Sequence, residues 1–269
     1  NPYPRWSHFN FTIQSKSVEE VFRTLNLKYN KEISINFDFP NILIAGCGTG
    51  QHAISSKMRF KNSKLICIDL SKSSLAYAQR KVKELKIDNI EFFQCDILNI
   101  DQLSQENFDI IESVGVIHHM EDPESGLKNL AQKVKIGGFI KIGLYSQLAR
   151  ESINIYRKKN AAKDYLTKEK LIQFREKIIS ENITPELFEI SDFYSLSEFR
   201  DLMCHVQEHQ FNLIQIDKLL KKNNLRFIGF EITNQIVLET FINEFGSSNL
   251  YNLNKWNEFE IRYPKSFIG

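Results

Sequence analysis

The sequence feature that most constrains the fold is an apolar run that ends in three alternating glycines. The run covers residues 41–45, and the glycines are Gly46, Gly48 and Gly50. Such runs are typical of buried strands, and glycine is favoured where the backbone needs positive φ angles. A strand that passes through such a turn into a helix presents backbone N–H groups to a ligand. The pattern predicts a nucleotide-type site, although its spacing differs from the dinucleotide G-x-G-x-x-G.

A second apolar run, residues 64–68, ends at Asp69, which follows Gly46 by 23 residues. This spacing is typical of a βαβ unit, in which an acid at the tip of the second strand accepts hydrogen bonds from ribose hydroxyls. Three further runs follow, over residues 90–95, 108–111 and 138–144. The alternation predicts an α/β fold with a mostly parallel sheet, whose ligand lies beyond the carboxyl ends of the strands.

In order and spacing, these motifs resemble the class I S-adenosylmethionine-dependent methyltransferases over residues 40–145. The resemblance implies a Rossmann-like, doubly wound sheet and S-adenosyl-L-methionine as the cofactor. In that family the glycine turn holds the methionine part, the acid after strand two holds the ribose, and the acid after strand three faces the adenine. The cofactor-binding residues that it implies here are Gly46, Cys47, Gly48, Gly50, His52, Asp69, Leu70, Asp96, Ile97, Glu112 and Ser113.

One position departs from the family pattern. The family usually has an acid two residues before the first glycine, and here that position is Ile44. Because this acid helps to orient the ammonium group of the cofactor, its task must pass in this chain to another residue or to water.

The wider chain resembles methyltransferase domains that some bacteria fuse behind tetratricopeptide repeats. The matching segments are residues 1–6, 42–50, 112–120, 193–197 and 205–209. This resemblance implies an upstream repeat domain as a partner in a longer protein. The chain begins at Asn1 and ends at Gly269, where a seventh, antiparallel strand would follow. We therefore expect a fragment in which that strand is truncated.

A chain of 269 residues is long enough for one large α/β domain with an insertion. Residues 146–210 show helical apolar spacing and no convincing strand, whereas residues 226–231 predict a further strand. An insertion after strand five would cover the ligand crevice of an open α/β sheet. The predicted parts are an N-terminal arm and helix (1–35), a cofactor-binding core (36–145), a helical cap (146–210) and the C-terminal part of the core (211–269).

Composition excludes several classes of protein. The net charge of +2 predicts no strong field for nucleic acid or an anionic membrane. No apolar run approaches the roughly 20 residues that span a bilayer, and no signal segment opens the chain, so we expect a cytoplasmic location. The four cysteines lack C-x-x-C spacing and are interpreted as small, mostly buried side chains.

A sulfonium methyl group is already activated, so the enzyme has to align the acceptor and, for O–H or N–H acceptors, to provide a base. His205 and His209 are four residues apart, which would place them on one helix face as an acceptor-site base, a metal pair or a solvated surface. With Tyr145 after strand five, they are the catalytic candidates. Further acceptor-site candidates are Tyr3, Arg5, Trp6, His118, Arg150 and Tyr194.

These residues also have plainer interpretations. The opening segment with Trp6 is either a lid or a linker, and Arg150 is either an acceptor contact or a helix-surface residue. Adjacent His118 and His119 point in different directions and have no obvious third ligand nearby, so we expect no metal site.

The sequence predicts methyl transfer to an O, N or C atom of an unidentified acceptor, for which a small molecule is expected. The alternatives are a protein acceptor and a catalytically silent cofactor-binding scaffold or sensor. After strand four the chain has residues 112–115 in place of an Asn-Pro-Pro-Tyr loop, and no cysteine follows. Methylation of an adenine or glutamine nitrogen and a covalent cytosine-C5 mechanism are therefore disfavoured. A nicotinamide oxidoreductase fails on the glycine spacing.

Overall fold

The central sheet consists of five parallel strands in the order β3-β2-β1-β4-β5. The computed structural model describes Trp6, Phe9 and residues 14–30, 35–104, 107–159, 167–181, 187–188, 190–204 and 207–267. The strands are β1 (Asn41–Ala45), β2 (Lys64–Asp69), β3 (Ile90–Gln94), β4 (Phe108–Val114) and β5 (Val134–Gly143). The predicted Rossmann-like, doubly wound architecture is confirmed.

Helices cover both faces of this sheet. They are α1 (Val18–Thr24), α2 (Gln51–Arg59), α3 (Lys72–Glu84) and α4 (Pro123–Lys133). The first three contribute side chains to the apolar cluster on one face, and α4 packs on the other. Ser71 and Asp122 are the N-caps of α3 and α4, and their side chains accept from the backbone N–H groups of Ser74 and Ser125. Helix α4 ends at Lys133, because β5 begins with the next residue.

The segment after β5 packs around an apolar cluster of its own. Its elements are β6 (Tyr145–Ser146), α5 (Glu151–Lys159), α6 (Lys168–Glu181), α7 (Leu196–Cys204) and β7 (Gln210–Phe211). Phe174, Ile178 and Phe199 are fully buried in the centre of this cluster. The helical cap agrees with the sequence, but the expectation of no strand here was wrong. A two-residue strand is too short to show a periodic pattern.

The C-terminal segment forms α8 (Leu213–Lys222), α9 (Gln235–Phe245) and α10 (Leu253–Arg262). The predicted strand at residues 226–231 was wrong, since none is present there. Gly229 has φ +135°, and Phe230 packs against the Trp256 ring, 5.4 Å away between centroids. The apolar side chains of Phe227 and Phe230 pack in the cluster around Trp256 of α10 instead of forming a strand of the sheet. None of the helices in the described ranges combines the length and apolar character that crossing a bilayer requires.

Candidate cofactor and acceptor sites

The turn after β1 has positive φ angles at all three glycines, +79° at Gly46, +52° at Gly48 and +88° at Gly50. A Cβ on Gly46 would lie 2.4 Å from Cγ2 of Val116, and one on Gly50 would lie 2.7 Å from Cβ of Ala78. Backbone conformation and close packing against the β4 loop and α3 therefore both require glycine here.

Cys47 and Trp6 shape this turn from behind. Cys47 is buried, its N–H donates to the Ile68 carbonyl at 2.9 Å, and its carbonyl accepts from Gly50 N–H at 2.9 Å. Trp6 is buried against α2 and α3, and its indole N–H donates to the Thr49 carbonyl at 3.2 Å. Trp6 thus supports the glycine turn instead of covering an acceptor. Tyr3 and Arg5 lie outside the described residues.

Asp69 lies at the tip of β2 and holds the turn through both carboxylate oxygens. Oδ2 accepts from Gly48 N–H at 2.7 Å, and Oδ1 accepts from Ser71 N–H at 2.8 Å. Since a carboxylate offers about four lone-pair sites, two remain for further donors. The residue therefore fits the two hydroxyls of a ribose.

The region predicted to face adenine follows β3 and begins at Asp96. Asp96 caps a short 3₁₀ helix, with Oδ1 accepting from Leu98 N–H at 2.9 Å. Ile97 points into the core with 6% of its surface exposed, whereas Leu98 is 36% and Leu70 63% exposed. The apolar side chains that are exposed here and could contact an adenine ring are therefore those of Leu70 and Leu98. Leu98 was not predicted from the sequence, because no sequence pattern shows which side chains of so short a helix face outwards.

Glu112, at the end of β4, is fully buried, and its Oε2 lies 3.0 Å from Nε2 of His52 on α2. Burial by itself would raise the pKa of Glu112, but His52 and Lys141 lower it overall, to about 2. The carboxylate is therefore ionised at neutral pH. The neighbouring Ser113 hydroxyl is already engaged, because it donates to the Ala45 carbonyl at 3.1 Å and ties β4 to β1.

A cavity of about 230 Å³ lies beyond the carboxyl ends of β4 and β5. This is the edge at which open α/β sheets bind ligands. Part of the wall is apolar, and the polar lining consists of His118, Tyr145, Ser146, Arg150 and Asp192. Three of these were candidates from the sequence, namely His118, Tyr145 and Arg150. Ser146 and Asp192 were missed, because nothing in the local sequence distinguishes them from other polar residues of the cap.

His118 lines this cavity, and one of its two ring nitrogens makes no hydrogen bond to the described residues. Its Nδ1 lies 3.3 Å from the Gly143 carbonyl, which can only accept, so Nδ1 carries the hydrogen. Nε2 is buried and has no hydrogen-bond partner among the described residues. Burial, followed by the neighbouring His119, lowers the pKa of His118 to about 3, so the ring is neutral at physiological pH.

Tyr145 and Arg150 pack beside this imidazole. The rings of His118 and Tyr145 are 4.1 Å apart between centroids, and the Arg150 guanidinium lies 3.5 Å from the Tyr145 ring centroid. Arg150 lines the cavity and is buried, so it is not a helix-surface residue.

The described candidates His209 and Tyr194 do not line this cavity. His209 lies outside any helix, so the prediction that it shares a helix face with His205 was wrong. His205 lies outside the described residues, and His209 N–H donates to the His118 carbonyl at 2.7 Å, which fixes the backbone of His118. Tyr194 is 65% exposed, and its hydroxyl donates to the Phe188 carbonyl at 2.9 Å.

Comparison with known proteins identifies a methyltransferase domain. Residues 42–138 match a family model described as a methyltransferase domain. An uncharacterised protein of Synechococcus sp. is 30% identical over 257 residues, which are 86% of this chain and 60% of the relative. A malonyl-[acyl-carrier protein] O-methyltransferase of Bacillus cereus is 24% identical over 199 residues, or 70% of each chain.

The solved structure of PKMT2 from Rickettsia typhi aligns with a TM-score of 0.68 at 17% identity, over 96% of this chain and 52% of that one. Its complex with AdoHcy aligns with a TM-score of 0.67. The chain thus spans 60% of the Synechococcus relative and about half of PKMT2. Residues 42–138 thus match a methyltransferase family, and the motifs and fold are those of the class I S-adenosylmethionine-dependent methyltransferases, with S-adenosylmethionine as the cofactor.

Proposed function

We propose that the protein transfers the methyl group of its cofactor to an O–H or N–H group of a small molecule bound in the cavity beside His118. The observation that carries this proposal is the buried Nε2 of His118, which has no hydrogen-bond partner in the described part of the chain. A buried polar atom without a partner is costly, so a site that retains one favours a ligand that supplies it.

The bound cofactor supplies an activated methyl group, which leaves alignment as the main task of the chain. The Nδ1 hydrogen bond to Gly143 leaves the lone pair of His118 on Nε2, where it can accept from the nucleophile. With a pKa of about 3, this imidazole is a weak base. Its role is therefore to orient the acceptor, and holding two reactants in line lowers a barrier by several kcal/mol.

The cavity favours an acceptor of limited size. Its volume of about 230 Å³ lies below the roughly 300–1,000 Å³ of pockets for drug-sized ligands. The apolar side chains Val114, Leu144 and Ile153 suit a hydrocarbon body, while Arg150 and Asp192 provide polar contacts. A small molecule with one polar end matches this lining better than an extended chain does.

The test is transfer of a radiolabelled methyl group from the cofactor into fractionated cell extract, with wild type, His118→Phe and His119→Phe. We expect label in the small-molecule fraction. Phenylalanine keeps the ring but removes the acceptor atom, so His118→Phe should lower the transfer rate roughly 10–100-fold, by the free energy of one buried hydrogen bond. AdoHcy affinity should stay unchanged, and His119→Phe, which alters the adjacent imidazole, is the matched control.

Two outcomes would contradict the proposal. Label confined to the protein fraction would indicate a protein acceptor. Tight AdoHcy binding without transfer to any fraction would indicate a cofactor-binding scaffold or sensor.

A further inference from the structure

Ile44 stands where the family usually has an acid, and the strand register places another carboxylate beside it. Cys67, Ile44, Glu112 and Lys141 form one row across the neighbouring strands β2, β1, β4 and β5. Residues in register on parallel strands project from the same face of a sheet. The Glu112 carboxylate therefore lies on the same face as Ile44, displaced by one strand spacing of about 4.8 Å.

The hydrogen bonding around the buried Glu112 carboxylate is incomplete. His52 and Ser56 lie one turn apart on α2 and face the carboxylate. His52 Nε2 and Glu112 Oε2 are 3.0 Å apart, yet within the described residues neither atom nor the Ser56 hydroxyl reaches regular hydrogen-bond geometry. Burying an ionised carboxylate without full hydrogen bonding is costly, so this cluster favours a further donor with positive charge.

Lys141, whose charge also lowers the pKa of Glu112, has another carboxylate as its ion-pair partner. Lys141 Nζ forms its ion pair with Glu231, which also binds Arg59 at 2.9 Å. His52, by contrast, is about one-third exposed in the first turn of α2, directly after the glycine turn. The Glu112–His52 pair therefore connects the buried end of β4 to the turn that serves the methionine part of the cofactor.

We propose that the Glu112–His52 pair binds the α-ammonium group of S-adenosylmethionine and replaces the acid absent at Ile44. An ammonium group brings one positive charge and three N–H donors, which is what this cluster lacks. The proposal rests on the cofactor and is independent of the acceptor assigned to the cavity at His118.

The test compares the affinity for AdoHcy with that for its analogue lacking the α-amino group, measured by calorimetry. Wild type should prefer the amine roughly 10–100-fold, as expected for charge-assisted hydrogen bonds. Glu112→Gln should reduce this preference to a few-fold. The matched control is Glu231→Gln, which removes the other carboxylate of the same charge cluster and should keep the full preference.

Two further variants distinguish a loss of ammonium binding from misfolding of the protein. His52→Gln changes a partly exposed side chain and should also reduce the preference. The exchange Ile44→Glu with Glu112→Ile returns the carboxylate to strand one and should restore the preference at least 10-fold over Glu112→Ile alone. Equal losses for both ligands in Glu112→Gln and His52→Gln would show a structural role and overturn the proposal. Cofactor binding and the His118 site would still stand in that case.

Discussion

At the scale of single residues, the sequence identified the side chains whose positions depend on strand spacing. Asp69 was found because a βαβ unit fixes the distance between the glycine turn and the tip of β2. His209 was misplaced because its spacing to His205 is meaningful only within one helix, and His209 itself is not helical. Side-chain direction within short irregular segments, as at Leu98, depends on tertiary packing and cannot be predicted from one sequence.

The first residue-scale prediction concerns Asp69. In Asp69→Asn, one of the two oxygens that accept from Gly48 and Ser71 becomes a donor, so one turn contact and one ribose acceptor are lost. We expect AdoHcy to bind roughly 10–100-fold more weakly, by the free energy of one or two hydrogen bonds to a charged group. Calorimetric titration measures this, and Asp101→Asn, at a carboxylate that is 88% exposed, is the control. Equal affinities for the two variants would contradict the ribose role.

At the scale of elements, Glu208 connects several parts of the cap. Its carboxylate binds Arg157 of α5 at 2.9 Å, accepts from Gln210 of β7 at 2.8 Å, and lies 4.0 Å from Arg150. Burial by itself would raise the pKa of Glu208, but Arg150, Gln210 and Arg157 lower it overall. The cap and the cavity wall therefore depend on one ionised carboxylate, an arrangement without a recognisable sequence pattern.

This arrangement predicts an acid-sensitive cap. Because the pKa of Glu208 is lowered in the folded state, its contribution is complete above its ordinary value of 4.5 and is lost as pH falls below it. Glu208→Gln removes the buried carboxylate that faces Arg150 and Arg157 and should lower the free energy of unfolding by about 3–5 kcal/mol. Melting temperatures between pH 7 and 3 test this, and the variant should show a weaker pH dependence than wild type. Parallel pH profiles for both proteins would contradict the assignment.

At the scale of the whole molecule, the sequence predicted the central sheet better than the C-terminal segment. Strands β1 and β2 are almost continuous apolar runs because both faces of the sheet are covered, and such runs are easily recognised. The segment at residues 226–231 has a similar composition, but its apolar residues pack on an aromatic cluster in which Phe241 stacks on Trp256 with centroids 3.6 Å apart. Composition alone does not distinguish these two environments.

The aromatic cluster is expected to hold the C-terminal helices together. Trp256 is fully buried, so Trp256→Ala should lower the free energy of unfolding by about 3–5 kcal/mol. Urea denaturation measures the loss. Ile136→Ala, at a side chain that is 97% exposed, should change it by less than about 0.5 kcal/mol. Similar midpoints for the two variants would show that α8, α9 and α10 do not depend on this cluster.

The central claim is that the cofactor presents its methyl group to the cavity at His118. A crystal structure of the AdoHcy complex tests it most directly. We predict that the ribose hydroxyls contact Asp69 and that the sulfur faces the opening of the cavity lined by His118, Tyr145 and Arg150. A sulfur atom directed away from that cavity, with another surface at the methyl position, would contradict the account.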